Sequence, residues 1–284
     1  MTTPNEEFIA FWNDVLVPKF KRFRSVFISG AAPHSAFALA KHGPKTGDRV
    51  LDIGCGFGET TIDLGRLVGP KGSAIGFDCC DGFLDIARAD AKAAKAENVS
   101  FVLADVQSHE FDGSFDYAFA RFGTMFFQAP KGALRNIRRS LKPGGRLVNI
   151  TWRPLVTNTW MALPKEIALR HLPPPGDGPS CGPGPFSMSD PEVVTAILEG
   201  AGFTNVALEA VDSPVVVGRD VEEAIAFQLE LGPAGEIVRE AGELGKQKRD
   251  VLVADLRAAL APFVTPRGVV MDSSSWTITA TNPG

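Results

Sequence analysis

The sequence is poor in the groups that usually carry acid–base and covalent chemistry. Of its 284 residues, four are histidine, four are cysteine and one is tyrosine. His34, His42, His109 and His171 are therefore few candidates for a base that titrates near neutral pH. The cysteines, Cys55, Cys79, Cys80 and Cys181, lack the spacing of a metal site, and the adjacency of Cys79 and Cys80 disfavours a framework disulfide. They read as small apolar fillers in a reducing, cytoplasmic setting, and no metal is expected. No run approaches ~18 consecutive apolar residues, so no stable membrane insertion is expected. The opening "MTTPNEEFIAFWNDVL" lacks the basic head, apolar stretch and small-residue cleavage site of a secretory leader. Asp and Glu (33) outnumber Lys and Arg (29), giving a net charge of −4 with no basic stripe, so no nucleic-acid partner is expected. The densest basic run, "KFKRFR" (19–24), reads as a solvated helix face. No internal repeat stands out.

What is present is a regular alternation. Residues 5–27 carry Phe8, Phe11, Trp12, Val15, Leu16, Phe20 and Phe23 at helical spacing, and "PHSAFALAKHG" reads as a short helix closed by Gly43. From residue 49 the chain then reads strand "RVLDI", helix 59–68, strand "SAIGFD", helix 81–94, strand "VSFVLAD", strand "FDYAFAR", helix 132–141, a tight turn at "KPGG", and strand "RLVNITW". Strands separated by helices of about 10–14 residues predict a parallel sheet covered on both faces. After Trp152 the rhythm breaks. Helices are expected at 158–172 and 190–203, a strand at 204–211, mostly helix over 220–262, and a last strand at 275–281. Insertions are thus placed at about 153–188 and 219–268. They are expected, with an N-terminal helical segment (1–44), to cap an α/β domain spanning 45–284. The Pro/Gly-rich stretch 173–186 reads equally as a lid or an irregular connector.

The stretch "RVLDIGCGFGETTIDL" puts Gly54, Gly56 and Gly58 where a strand hands over to a helix. Bare backbone there admits a ligand close to the main chain, facing the free N–H groups of the helix. Two ligand classes use such a turn, dinucleotides through G-x-G-x-x-G and the class indicated by the D-x-G-x-G-x-G order seen here. Asp78 ends the second strand, where a carboxylate can accept two hydrogen bonds from a ribose diol. Asp105, in "LADVQ", is placed to accept from an exocyclic amine, with Val106 offering its backbone N–H and an apolar contact. "ARFGTMFF" (120–127) is expected to floor the crevice.

With "VLDIGCGFGETT", "GFD", "ADVQ", "FDYAFARFGTMFF" and "LKPGGRLV" in that order over about 45–152, the chain resembles the class I S-adenosylmethionine-dependent methyltransferases, in particular the small-molecule branch of ubiquinone and menaquinone biosynthesis. The resemblance implies a doubly wound, mostly parallel seven-stranded Rossmann-like sheet whose last strand runs antiparallel, here with helical cap insertions. It implies S-adenosylmethionine as cofactor and S-adenosylhomocysteine as product. Asp52, Gly54, Cys55 and Gly56 are expected at the methionine part, Asp78 at the ribose, Cys79, Asp105 and Val106 at the adenine, and Arg121 and Phe122 on the sulfonium side. For Arg121 the alternative is a side chain turned away onto a carboxylate. Transfer by in-line displacement needs no metal and no covalent intermediate, and a base only for some acceptors. His34 and His171 are the candidate bases, and Trp12, Phe126 and Trp152 the candidate acceptor-pocket walls. The segment after the fourth strand is "ARFG", not the Asn/Asp-Pro-Pro-aromatic run that grips a planar amide or exocyclic amine, which argues against nucleic-acid methylation. The expected partner is a small-molecule acceptor, the expected state monomer or homodimer. A non-methylating binder of the same fold is the alternative. A nicotinamide-dependent oxidoreductase fits less well, because "GCGFGE" lacks its glycine spacing.

Overall fold

The computed structural model describes residues 5–176 and 182–284. Residues 1–4 of the expected N-terminal cap, Cys181 and residues 177–180 of the Pro/Gly-rich stretch lie outside the described residues. The chain opens with α1 (Glu6–Phe11), a π-turn, α2 (Val17–Arg22) and α3 (Arg24–His42). The short helix read at "PHSAFALAKHG" is the second half of α3. Pro33 sits inside that 19-residue helix rather than starting a new one, so what reads as a boundary is a missing donor within a continuous element.

The alternating core follows: β1 (Arg49–Ile53), α4 (Glu59–Val68), β2 (Ser73–Asp78), α5 (Asp81–Ala93), β3 (Val99–Leu103), β4 (Phe115–Arg121), α6 (Pro130–Ser140) and β5 (Leu141–Trp152). Then come α7 (Thr159–His171), α8 (Pro191–Gly200), β6 (Thr204–Gly218), α9 (Val221–Glu230), α10 (Gly232–Glu240), α11 (Gly242–Gln247), α12 (Arg249–Leu260), β7 (Val264–Thr265) and β8 (Gly268–Thr281). The main sheet runs β3-β2-β1-β4-β5-β8-β6, with β7 attached to β8. β1 to β5 pair in parallel, and β8 runs antiparallel to both β5 and β6. This is the mostly parallel sheet of the expected methyltransferase-like fold, with helices around it.

Alternation on the strands decides which layer each residue joins. Val50, Tyr117, Phe119 and Val148 pack with Ala38 of α3 and Leu64 and Val68 of α4. Leu51, Ile53, Ala118, Ala120 and Leu147 face the other way, in the cluster that holds Leu134 and Ile137 of α6 and Val194 and Leu198 of α8. Strands buried on both faces explain the mostly apolar runs of β1 and β4. The single tyrosine, Tyr117, is fully buried here, with Arg146 stacked over its ring at 5.2 Å.

Boundaries in four strands differ from the sequence expectation. "KPGG" is not a free turn but a bulge within β5, since Leu141 pairs with Phe115 and Arg146 with Tyr117. The chain end holds it there: Gly144 N–H donates to Asn282 O (2.8 Å) and Asn282 N–H to Gly145 O (2.9 Å). β6 and β8 extend well past the expected 204–211 and 275–281, because "DSPVVV" and "GVVMDSS" pair with each other beyond β5. Pro214 is tolerated since β6 is an edge strand. β3 ends at Leu103, so Ala104 and Asp105 lie in the turn that follows.

Candidate active site

The carboxyl ends of β1, β2, β4 and β5 open onto a cavity of about 580 Å³. Its opposite walls come from Phe8, Trp12, Phe20 and Phe27 of the N-terminal helices, Trp160 and Met161 of α7, and Phe227 and Ile237 of α9 and α10. Pockets of this size accept drug-sized ligands. Of the residues singled out in the sequence, Gly54, Cys55, Gly56, Asp78, Cys79, Asp105, Val106, Arg121, Phe122, Trp12, Phe126 and Trp152 all line it.

The glycine turn is a cradle. Gly54, Gly56 and Gly58 have φ of 62°, 53° and 78°, the left-handed region open to glycine. A side chain added at Gly56 would meet nothing within 4 Å, so the space in front of that backbone belongs to the cavity. Gly58 faces inward instead, where a Cβ would meet Ala87 and Phe101 at 2.7–2.8 Å. The turn is fixed from below by Asp78, whose carboxylate accepts from Gly56 N–H (2.9 Å) and Cys80 N–H (2.9 Å). Burial raises the pKa of Asp78, against the lowering effect of those backbone donors. Cys79 N–H and the Cys80 thiol also donate to it, so a diol would compete with the thiol for the carboxylate.

Asp105 is engaged in the same manner. One oxygen accepts from Gln107 N–H (3.0 Å) and the other from the amide nitrogen of Asn5 (2.5 Å). An NH₂ donor thus already sits on this carboxylate, the chemistry expected of an exocyclic amine. Phe122 adopts φ 58°, unusual for a side chain with a Cβ, and its ring stacks on Trp152 at 3.8 Å and 14°. Trp12 and Phe126 meet edge to face at 5.0 Å. The four aromatic residues therefore form two separate walls.

Three sequence candidates stand elsewhere. Asp52 is fully buried beneath the turn and does not line the cavity; Thr60 and Thr61 donate to its Oδ2 at 2.8 and 2.6 Å, tying β1 to the first turn of α4. His34 is buried behind the Phe122–Trp152 wall, both ring nitrogens bonded to serine hydroxyls, Ser273 at 2.9 Å and Ser275 at 2.8 Å. His171 lies on α7 with its Nε2 2.7 Å from Asp255. None of the four histidines lines the cavity. Arg121 lines it but forms an ion pair with Glu59, and a 3.4 Å hydrogen bond to Ser35.

Glu59 is the residue that sequence reasoning passed over. It is the first residue of α4, directly after the glycine turn, and it lines the cavity. One oxygen takes Arg121, while Oε2 is buried with no partner. Its place just beyond the third glycine was the available signal.

Asp52 and His34 set opposing pH dependences. Burial pushes Asp52 up to about 6 from 3.8. Between those values the folded protein keeps a proton that the unfolded chain releases, so the stability tied to this group is full below about 3.8 and is lost as pH rises through about 6. Burial pushes His34 down to about 4 from 6.5, so stability rises with pH across that window. The two slopes offset each other in the wild-type protein. Asp52→Asn removes one of them. Relative to wild type, the variant is expected to gain about 2–3 kcal/mol between pH 4 and 6.5, at 1.36 kcal/mol per pH unit. Urea unfolding at the two pH values measures this, and a pH-independent difference contradicts the assignment.

Residues 50–145 match the family described as a methyltransferase domain. The demethylmenaquinone methyltransferase of Lactococcus lactis is 37% identical over 116 residues, 40% of this chain and 46% of that protein. The corresponding enzyme of Staphylococcus aureus is 38% identical over 107 residues, 37% of this chain and 44% of that protein. The match thus spans less than half the length of these curated relatives. Among solved structures, a phosphoethanolamine N-methyltransferase 2 of Haemonchus contortus, in complex with phosphomonomethylethanolamine and S-adenosylhomocysteine, aligns with TM-score 0.60 at 20% identity, covering 98% of this chain and 61% of that one. The YcgJ protein of Bacillus subtilis aligns with TM-score 0.58 at 16% identity, covering 89% and 99%. At these identities the structural likeness is one of fold.

Proposed function

We propose that this chain, whose residues 50–145 match a methyltransferase domain, is an S-adenosylmethionine-dependent enzyme that methylates a small, largely apolar or aromatic acceptor and releases S-adenosylhomocysteine. The observation that carries the reading is the open Gly56 backbone beside a buried carboxylate, Asp78, at the mouth of one aromatic-lined cavity. S-adenosylmethionine supplies a methyl group on a positively charged sulfur, which an acceptor nucleophile takes directly.

The chain's own residues bind, orient and exclude water. Gly54 and Gly56 leave main chain exposed to the methionine part. Glu59, a carboxylate on the cavity wall, suits an ammonium group. Asp78 suits a ribose diol, and Asp105 with Val106 an adenine edge. Phe122 and Trp152 wall the reacting end, where alignment at van der Waals contact is worth roughly 7–11 kcal/mol of barrier. The N-terminal helices and the helices of both insertions act as a cap that keeps this end dry. Trp12 and Trp160 stand in this wall, their indole N–H groups buried without partners. With no histidine on the cavity wall, the reaction rests on positioning and not on a histidine base.

Equilibrium dialysis with labelled S-adenosylmethionine is expected to show saturable binding of one equivalent. A panel of hydroxy- and amino-aromatic acceptors, followed by mass spectrometry, is expected to show the gain of one methyl group. Absence of saturable binding overturns the proposal; binding without turnover on any acceptor moves it to the non-methylating alternative.

A further inference from the structure

Adjacent cysteines escape any spacing rule for metal ligands, and from the sequence Cys79 and Cys80 read as fillers. The structure places both on the cavity wall, with their sulfurs 3.9 Å apart. With a carboxylate oxygen of Asp78 they form three ligand atoms that all lie within 4.8 Å of one another. A tetrahedral cation with metal–sulfur bonds of about 2.3 Å holds two sulfurs about 3.8 Å apart. The two thiols are thus already at the separation a thiophilic divalent ion requires. Three protein ligands with a fourth position facing a cavity is the pattern of an open site. Cys79 is half-buried and provides the entry path, whereas Cys80 is 1% exposed. The corner is held firmly: Asp78 accepts from Cys80 N–H and Gly56 N–H, fixing the carboxylate relative to both thiols, and the Cys80 thiol already donates to it.

We propose that Asp78, Cys79 and Cys80 form a site for a thiophilic divalent cation of the Zn²⁺ or Cd²⁺ class, and that its occupancy excludes the nucleoside. On binding, each thiol gives up its proton to solvent. Two metal–sulfur bonds and one metal–oxygen bond form, and water completes the tetrahedron. No electrons are transferred, so no oxidant is needed. Exclusion follows because one carboxylate cannot serve the cation and a ribose diol together, and because the metal sits against the wall that Cys79 offers to the base. The cation site stands on the ligand geometry alone. The exclusion rests on the proposed role of Asp78 toward the cofactor.

The test uses the full chain and CdCl₂. The near-ultraviolet thiolate-to-cadmium absorbance is expected to saturate at one equivalent, and Cys79→Ser and Cys80→Ser are each expected to lose half or more of it. In calorimetry, one equivalent of Cd²⁺ is expected to weaken S-adenosylhomocysteine binding at least tenfold in wild type. In each serine variant the affinity with and without Cd²⁺ is expected to agree within twofold. A measurement free of substitutions is the reciprocal one: saturating S-adenosylhomocysteine is expected to suppress the absorbance. A band that never forms, or that survives both substitutions, overturns the site. A band that forms while the nucleoside binds undisturbed overturns the exclusion. A normal band with no nucleoside binding in any arm sinks the cofactor reading and leaves the cation site standing.

Discussion

Asp78→Ala is expected to weaken S-adenosylhomocysteine binding by about 10- to 150-fold, equivalent to about 1.5–3 kcal/mol for hydrogen bonds to a charged group. The same carboxylate accepts from Gly56 and Cys80 N–H, so the substitution also leaves two buried donors unpaired. That loss costs about 1–3 kcal/mol per unsatisfied group, offset in part because a buried charge is removed. Titration calorimetry of the folded fraction separates the effects. Asp78→Asn, which keeps the shape and one acceptor oxygen, is expected to fold better than Asp78→Ala and still to bind weakly. An affinity equal to wild type in either variant contradicts the ribose assignment.

Gly56→Ala and Gly58→Ala are expected to fail in opposite ways although they lie two residues apart. Both glycines hold positive φ, a conformation that costs about 1–2 kcal/mol once a Cβ is present. At Gly58 the new methyl also runs into Ala87 and Phe101. Overpacking adds about 1–3 kcal/mol, so a total loss of about 2–5 kcal/mol in urea unfolding is expected there. At Gly56 nothing stands in the way, so stability falls only by the backbone term. The methyl instead enters the cavity where the proposed cofactor meets the main chain, and affinity for S-adenosylhomocysteine is expected to drop at least tenfold. Normal binding by Gly56→Ala, or normal stability of Gly58→Ala, contradicts this division of labour.

The parallel core was legible because its central strands, β1, β4 and β5, are buried on both faces, so apolar runs such as "RVLDI" stand out against the amphipathic helices between them. The regions that misled are those where a neighbour supplies what the local sequence withholds. "KPGG" reads as a turn until Asn282 pins it into β5. "DSP" reads as the end of β6 until β8 pairs with it. Pro33 reads as a start, but it lies inside α3.

The residues at the site divide in the same manner. Their order along the chain already marked Gly54, Gly56, Asp78, Asp105 and Phe122, because the ends of parallel strands converge on one crevice whatever the loops do. Only the folded chain decided where side chains point. It set Asp52 beneath the turn with Thr60 and Thr61, and His34 behind the aromatic wall between two serines. It left one oxygen of Glu59 bare, and it brought two neighbouring thiols to one carboxylate. Backbone topology follows from local periodicity, which the sequence carries by itself. Side-chain partnership depends on residues up to 241 positions apart, as between His34 and Ser275, and exists only once the sheet has closed.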